Sequence, residues 1–247
     1  MALVFSLEAT GNFLFKRRGW LPVLLFVLVL PALYFTPYSS YAPSTRLLLS
    51  WGGIMLSFAG FLIRAYVIGT TPRGTSGRNT KGQVAEELNQ TGMYSMVRHP
   101  LYLGNYLMWI GIIVFAGNIC FVLITSFLFW LYYERIMFAE ERFLERKFGA
   151  TYLNWAQKTP AFVPDFRLYK KASIPFSIRS VLRREYPGVL NAVIGFAYVE
   201  MWRQYFLTGR FGLSQGSYTA LLLAAVLALV LRTLKRQTSW LEESGRS

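Results

Sequence analysis

Long apolar runs alternate with short, strongly basic stretches along this chain. A helix that crosses a bilayer needs about 20 mostly apolar residues. Open strands are excluded from lipid because their backbone groups would stay unpaired. The pattern therefore predicts an all-α, polytopic integral membrane protein with about six transmembrane helices, at residues 20–37, 47–69, 100–116, 119–137, 188–208 and 217–234.

The spacing of these runs divides the chain into three parts. Only Gly117 and Asn118 separate the third run from the fourth, which predicts a tight helical hairpin. We expect residues 1–69 to contain the first two spans. Residues 70–165 are predicted to form a core of a loop, the hairpin and a following helix, with a short helix at 82–89. Residues 166–247 are expected to form a basic linker and the last two spans.

Basic residues predict the orientation of the chain. If the N-terminus is cytoplasmic and six spans alternate, 22 of the 26 Lys and Arg residues fall on the cytoplasmic side. This is the bias of the positive-inside rule, so both termini are predicted to be cytoplasmic. The net charge of +14 is then explained by loops that face anionic lipid, and no nucleic-acid partner is expected.

The chain has one cysteine and one histidine. No intrachain disulfide can form, and these residues are too few for a structural zinc site, so we predict no metal. Lys16-Arg17-Arg18 precedes the first apolar run, but no small-residue cleavage site follows it. We therefore interpret that run as the first membrane helix rather than a signal peptide.

The lone histidine begins a polar stripe that enters the third span. Pro100 suits the first turn of a helix. His99 and Tyr102 are three residues apart and share one helix face, which Asn105 extends into the membrane. Gly104 permits a close approach to that helix. The alternative is a plain helix start at the membrane surface, with Arg98 reaching towards lipid phosphates.

A second polar feature lies in the sequence "YYERIMFAEERFLERKFGATYLNW", residues 132–155. As a helix that continues the fourth span, it presents one apolar face, formed by Tyr133, Ile136, Met137, Phe143, Leu144 and Phe148. Glu140 falls in the middle of that face, where a carboxylate is costly without a partner. That partner is either a cationic ligand or an arginine such as Arg64 or Arg98.

The two stretches together resemble the superfamily of isoprenylcysteine carboxyl methyltransferases and phospholipid methyltransferases. The resemblance covers roughly residues 90–165, and "TGMYSMVRHP" is similar to the family's approach to its motif. The ordered set that carries it is Arg98-His99-Pro100-x-Tyr102-x-Gly104, a hairpin, Glu140-Glu141-x-x-Leu144-x-x-x-Phe148-Gly149-x-x-Tyr152, then Pro160 and Pro164.

This resemblance implies an integral-membrane methyltransferase that uses S-adenosyl-L-methionine, and it implies roles for particular residues. The cofactor pocket would be lined by Tyr94, His99, Pro100, Tyr102, Gly104, Asn105, Glu140 and Glu141. Either glutamate would hold the cofactor's ammonium group, and Arg98, Glu140 and Glu141 are the candidate catalytic residues. Substrate contacts are expected from Arg64, Arg135 and Arg142.

The acceptor is left open among three groups: a lipid phosphate, an amine headgroup and a prenylated protein carboxylate. We favour a membrane lipid, with phosphate ahead of amine, because arginine forks match phosphate oxygens. "GNFLFKRRGWLP" also resembles bacterial members, some of which are similar to lipid A phosphate methyltransferases. This predicts the bacterial inner membrane, with the active site at the cytoplasmic face.

Two rival classes remain. Membrane sterol reductases have a similar Arg-His-Pro-x-Tyr segment and use NADPH, although Phe148-Gly149-x-x-Tyr152 favours methyl transfer. A non-enzymatic membrane partner protein is the other class. It predicts that His99, Asn105 and Glu140 are each satisfied by another side chain.

Overall fold

The structure, a computed structural model, describes residues 2–19, 23–72, 74–75 and 85–246. Within those ranges it is helical, with no β-strand beyond an isolated bridge between Gly92 and Lys170. The helices are α1 Leu3–Arg17, α2 Leu24–Tyr34, α3 Pro43–Gly69, α4 Met93–Met96, α5 Pro100–Ala116, α6 Ile119–Phe148, α7 Ala150–Ala156, α8 Ile178–Thr208 and α9 Gln215–Gln237.

Three of the described helices, α3, α6 and α9, are long and apolar enough to cross a membrane, and α2 and α5 are shorter apolar helices. Large apolar side chains lie exposed on their outer faces, among them Leu48, Trp51, Leu123, Leu223 and Leu229. A soluble protein rarely exposes so much apolar surface, whereas lipid is a suitable solvent for it. The prediction of an all-α membrane protein is confirmed. The count of six spans and the cytoplasmic termini stay predictions.

Glycines bring α3 and α5 into close contact. A Cβ added at Gly60 would lie 2.5 Å from the backbone oxygen of Gly104, and one added at Gly104 would lie 2.5 Å from Cγ of Arg64. One added at Gly111 would overlap the backbone oxygen of Gly53. Small residues at matching positions let membrane helices approach closely and gain dispersion contacts. This packing holds the first turns of α5 against the Arg64 end of α3.

The predicted hairpin between the third and fourth spans is confirmed. Gly117 ends α5 with a φ of +83°, and the side chain of Asn118 accepts a hydrogen bond from the Phe121 N–H at the start of α6. As expected, α6 continues well past the apolar run, to Phe148. Gly149 then reverses the chain with φ +52° and ψ −127°, which favours glycine, and α7 folds back.

Three elements differ from the sequence prediction. Residues 3–17 form α1, and its Gly11 packs against Arg135 and Ala139 of α6. The helix that contains the predicted fifth span, α8, begins at Ile178, so part of the predicted linker is helical. The predicted short helix at 82–89 is wrong for residues 85–89, which are not helical, and its residues 82–84 lie outside the described ranges.

Two interactions support the first turns of α8. Ser177 caps the helix by accepting a hydrogen bond from the Ser180 N–H. Pro187 lies inside α8 and has no N–H for the carbonyl four residues before it. Lys235 of α9 donates to that Arg183 carbonyl at 3.3 Å instead. The neighbouring helix therefore supports a helical turn that proline would otherwise weaken.

Candidate functional site

The Arg98-His99-Pro100 segment is fixed by backbone pairing. The Arg98 N–H donates to the Pro160 carbonyl at 2.9 Å, and the His99 N–H donates to the Ala161 carbonyl at 3.1 Å. Pro100 then occupies the first position of α5, as the sequence predicts. Because both N–H groups are engaged, the His99 imidazole is held in one place, 7% exposed, against the glutamates of α6.

Glu140 lies at the meeting point of three elements. Its Oε1 accepts a hydrogen bond from the Tyr102 hydroxyl at 2.8 Å, and its Oε2 lies 3.7 Å from Nδ1 of His99. Nη1 of Arg18, just after α1, lies 3.6 Å from Oε1. The carboxylate also lines the main cavity. Its partner is therefore neither Arg64 nor Arg98 but a residue from the basic N-terminal stretch.

Glu141 faces the other way and anchors Arg98. Arg98 donates to both carboxylate oxygens, at 2.9 and 3.3 Å, and Nε2 of His99 lies 2.8 Å from Oε1. Since an ionised carboxylate only accepts, this contact assigns the His99 proton to Nε2. Nη1 of Arg98 also donates to the carbonyls of Ala156 and Thr159. Arg98 therefore ties α5, α6 and the segment after α7 together.

Tyr152 of α7 lies behind this anchor. Its ring is buried against Trp155, with ring centroids 5.8 Å apart. Burial, and then the nearby Glu141 carboxylate, raise the pKa of the Tyr152 phenol above its usual value. The phenol accordingly stays neutral.

A second polar network lies deeper, between α3, α5, α6 and α8. Arg64 makes a bidentate ion pair with Glu185, with both distances 2.7 Å. Its Nη1 donates to Asn105 at 2.6 Å, and Asn105 donates to the Tyr133 hydroxyl at 3.3 Å. The Tyr133 ring packs on Tyr102 with ring centroids 4.7 Å apart. Asn105, like His99 and Glu140, thus has a side-chain partner, as the non-enzymatic class predicts, and the choice between the classes rests on the family comparison below.

The two networks share one cavity of about 850 Å³. One part of its wall is polar and aromatic, with Arg18, Tyr94, His99, Tyr102, Glu140 and Trp155. Another part is apolar, with Val23, Phe26, Trp109, Ile112, Ile194 and Tyr198. A cavity of this kind suits a molecule that has both a polar end and an apolar end.

The sequence-predicted site residues fall into three groups. Eight of them line the cavity: Arg64, Tyr94, Arg98, His99, Pro100, Tyr102, Asn105 and Glu140. Gly104 and Glu141 do not line it, since Gly104 packs against α3 and Glu141 lies behind His99. Arg135 and Arg142 lie elsewhere, with Arg135 donating to the Leu131 carbonyl and Arg142 to Glu145.

Sequence reasoning missed Arg18, Arg184 and Glu185. In the sequence, Arg18 belongs to the basic stretch before the first apolar run, and Arg184 and Glu185 belong to the predicted basic linker. One signal could have found Glu185: Arg64 lies inside a span and needs an anionic partner there. Nothing in the local sequence marks Arg18 or Arg184, because their place in the cavity wall depends on how α1 and α8 pack.

No group of three or more His, Cys, Asp or Glu side chains in the described ranges is placed to hold a metal ion.

Comparison with known proteins shows the family. The sequence model of the phospholipid methyltransferase family matches residues 48–151. A cobalt-zinc-cadmium resistance protein of Cupriavidus metallidurans is 31% identical over 169 residues, which cover 67% of this chain and 72% of that protein. No solved structure matches significantly.

Two further relatives match shorter stretches. A nickel-cobalt-cadmium resistance protein of Alcaligenes xylosoxydans xylosoxydans is 35% identical over 92 residues, covering 37% of this chain and 43% of that protein. The protein-S-isoprenylcysteine O-methyltransferase of Schizosaccharomyces pombe is 27% identical over 114 residues, covering 44% of this chain and 48% of that protein. The chain thus spans about half the length of these two relatives. It belongs to the membrane methyltransferase superfamily of phospholipid methyltransferases and isoprenylcysteine carboxyl methyltransferases.

Proposed function

We propose that this protein transfers a methyl group from S-adenosyl-L-methionine to the headgroup of a membrane lipid. One observation carries the proposal: Glu140 presents a carboxylate, fixed by the Tyr102 hydroxyl beside His99, to a cavity whose wall continues into apolar side chains. A carboxylate in that position suits the ammonium group of the cofactor, and the apolar continuation suits a lipid acceptor.

The residues present fit the cofactor. The cavity of about 850 Å³ falls within the range of about 300–1,000 Å³ that is common for small-molecule sites. Tyr94, Tyr102 and Trp155 supply aromatic surface near the carboxylate. We propose that Glu140 holds the ammonium group and that His99, Pro100 and Tyr102 line the pocket. Glu141, behind His99, and Arg98, on the wall, act as positioning residues.

When bound, S-adenosyl-L-methionine supplies a methyl group on a sulfonium, whose carbon–sulfur bond breaks as the acceptor's lone pair forms the new bond. The protein's own contribution is alignment, since an in-line displacement needs the two reactants held in register. His99 is fixed by backbone pairing and by Glu141, and it faces Glu140 in turn. Because these side chains are already held in place, they orient a ligand without having to rearrange when it binds. The apolar side chains around it exclude water.

We propose a lipid phosphate as the acceptor, such as a lipid A phosphate, with an amine headgroup next. Arg184 on the wall supports an anionic acceptor, because guanidinium groups pair with phosphate oxygens, whereas Arg64 is already held by Glu185 and Asn105. The relatives named as isoprenylcysteine methyltransferases support a carboxylate as the alternative acceptor. The basic surface supports an active site at the cytoplasmic face of a bacterial inner membrane.

Calorimetric titration of detergent-purified protein with S-adenosylhomocysteine, and with NADPH in parallel, tests the class. We expect binding of the former alone. Binding of NADPH alone would move the protein to the reductases, and binding of neither would favour a non-enzymatic partner protein. Transfer of labelled methyl groups to lipid extracts, followed by separation of phosphate-, amine- and carboxylate-containing products, then identifies the acceptor.

A further inference from the structure

One face of α8 lines the cavity over about half of the helix, from Arg184 to Tyr198. Arg184, Gly188, Asn191, Ile194 and Tyr198 all belong to the wall, and they recur every three to four residues. That spacing places them on a single helix stripe. At a rise of 1.5 Å per residue the stripe is roughly 21 Å long, which is comparable to a lipid headgroup with much of its chain.

The stripe changes in polarity from one end to the other. Arg184, at the start, is a buried cation, 8% exposed, beside the Glu185 that pairs with Arg64. Ile194 and Tyr198, at the far end, lie with Phe26, Trp109 and Ile112 in the same wall. Asn191 and Gly188 lie between. A cationic end followed by an apolar end matches a molecule with an anionic head and a hydrocarbon tail.

The apolar end of the cavity reaches the outer surface of the bundle. Val23, before α2, and Ile194 of α8 line the cavity and are also 53% and 47% exposed. A chain that lies in the cavity therefore has an apolar exit between α2 and α8, towards the surface that lipid covers. The wall at the headgroup end includes the polar side chains of Arg64, Asn105 and Arg184.

We propose that the α8 stripe binds the acceptor, with the oxyanion of its headgroup at Arg184 and its hydrocarbon chain along Ile194 and Tyr198. This inference rests on the proposed function and adds to it the part of the chain that selects the acceptor. The stripe lies outside residues 48–151, which the family model matches. Acceptor choice would then be set by α8, and cofactor binding by α5 and α6.

A larger side chain at Gly188 provides a steric test of this inference. A Cβ added there would meet only Oε2 of Glu185, at 3.6 Å, so there is room for a side chain that projects into the cavity. Gly188→Leu should fill the middle of the stripe. Gly52→Leu is the matched control, because Gly52 lies in α3 and a Cβ there meets nothing within 4 Å.

Arg184 gives a test of charge. Arg184→Gln removes the cation, and Arg184→Lys keeps the charge but not the fork. Arg183→Gln is the matched control, since the adjacent Arg183 pairs with Glu242 of the C-terminal tail and does not line the cavity. The probes are three amphiphiles with the same chain: dodecyl phosphate, dodecanoate and dodecylammonium, titrated in a neutral detergent.

We expect wild-type protein to bind the two anions at least about tenfold more tightly than the ammonium, a difference of the size of one charged contact. Arg184→Gln should lose that preference, and Arg184→Lys should recover part of it. Gly188→Leu should weaken all three probes, while both controls bind as wild type does. Comparison of the affinities for dodecyl phosphate and dodecanoate shows whether the site prefers a phosphate or a carboxylate.

Binding of S-adenosylhomocysteine to every variant separates the two hypotheses. If wild-type protein binds the amphiphiles but not S-adenosylhomocysteine, the proposed function fails and the α8 site stands. If S-adenosylhomocysteine binds but the anion preference is missing, or survives in Arg184→Gln, the α8 site is overturned. If Arg184→Gln does not fold, the steric variant decides the question. Unchanged amphiphile binding by Gly188→Leu would then be enough to overturn the α8 site.

Discussion

The Tyr102 hydroxyl donates a 2.8 Å hydrogen bond to Oε1 of Glu140 and so joins the first turn of α5 to α6 at the cavity wall. The bond fixes a carboxylate that is largely buried but still 23% exposed at the cavity. An anion held in this way is already oriented for a cationic ligand, so little ordering remains to be done on binding.

Glu140→Gln should weaken binding of S-adenosylhomocysteine by about ten- to a hundredfold, the loss expected for one charge-assisted contact. The amide keeps the size of the side chain and can still accept from Tyr102, so the melting temperature should change little. Calorimetry and thermal unfolding measure the two effects. Glu134→Gln is the control, since Glu134 lies on the same helix and is 52% exposed. Equal affinities in both variants would contradict the role given to Glu140.

His99→Ala should also weaken S-adenosylhomocysteine binding, by about tenfold, without unfolding the protein. Nε2 of the imidazole contacts Glu141, and Nδ1 lies near Glu140. Removing the ring therefore leaves both glutamates less constrained and takes away part of the cavity wall. The backbone bond from His99 to Ala161 survives the change. Titration of the folded variant tests this, and wild-type affinity would remove His99 from the pocket.

Arg98→Lys should destabilise the protein by about 1.5–3 kcal/mol, because an ammonium cannot reproduce the bidentate contact with Glu141 and the bonds to two carbonyls. Thermal unfolding in detergent measures the loss. Arg142→Lys serves as the comparison, with an expected cost below about 1 kcal/mol, since Arg142 pairs with a residue of its own helix. A larger effect on methyl transfer than on stability would instead favour a direct role for Arg98.

The apolar runs predicted much of the fold, because span length and hydrophobicity are local properties. The α5 bounds match the prediction, and α3, α6 and α9 were each placed within a few residues at one end or both. Residues 3–17 carry no such run, and α1 packs against α6 through Gly11. A helix whose burial depends on a distant neighbour cannot be recognised from its own residues.

The candidate site, like the fold, was predicted only in part. Motif residues of α5 and α6 gave one half of it, since His99, Tyr102 and Asn105 follow one helix face. The need of Glu140 for a cation was a sound physical inference, but its partner proved to be Arg18. The arginine of the third helix was matched by Glu185 rather than by Glu140. Which distant charges meet is decided by packing, which periodicity does not encode.

Gly111→Ala should destabilise the α3–α5 pair by about 1–3 kcal/mol, the usual cost of overpacking. Its Cβ would overlap the Gly53 oxygen and lie 2.7 Å from the Ser57 N, so the helices must separate. Gly52→Ala, one position from Gly53, should instead be neutral or gain about 0.5–1 kcal/mol, because its Cβ meets nothing and alanine favours helix. Thermal unfolding of the two variants compares them. Similar melting temperatures would contradict the close packing.

Glu185→Gln should be the most destabilising of these changes. Glu185 is 1% exposed and accepts two 2.7 Å bonds from Arg64, so its loss leaves a buried cation without its carboxylate. Breaking such a pair costs about 3–5 kcal/mol.

Glu242→Gln, which removes the exposed partner of Arg183, should cost about 0–1 kcal/mol. If the pair mainly serves stability, Arg64→Met combined with Glu185→Met should restore part of the melting temperature, because the cation and the carboxylate of the pair are removed together. If the pair also positions the α8 stripe, the double variant should fold and bind S-adenosylhomocysteine but bind dodecyl phosphate less tightly. Wild-type affinity for both ligands in the double variant would limit the pair to a structural role.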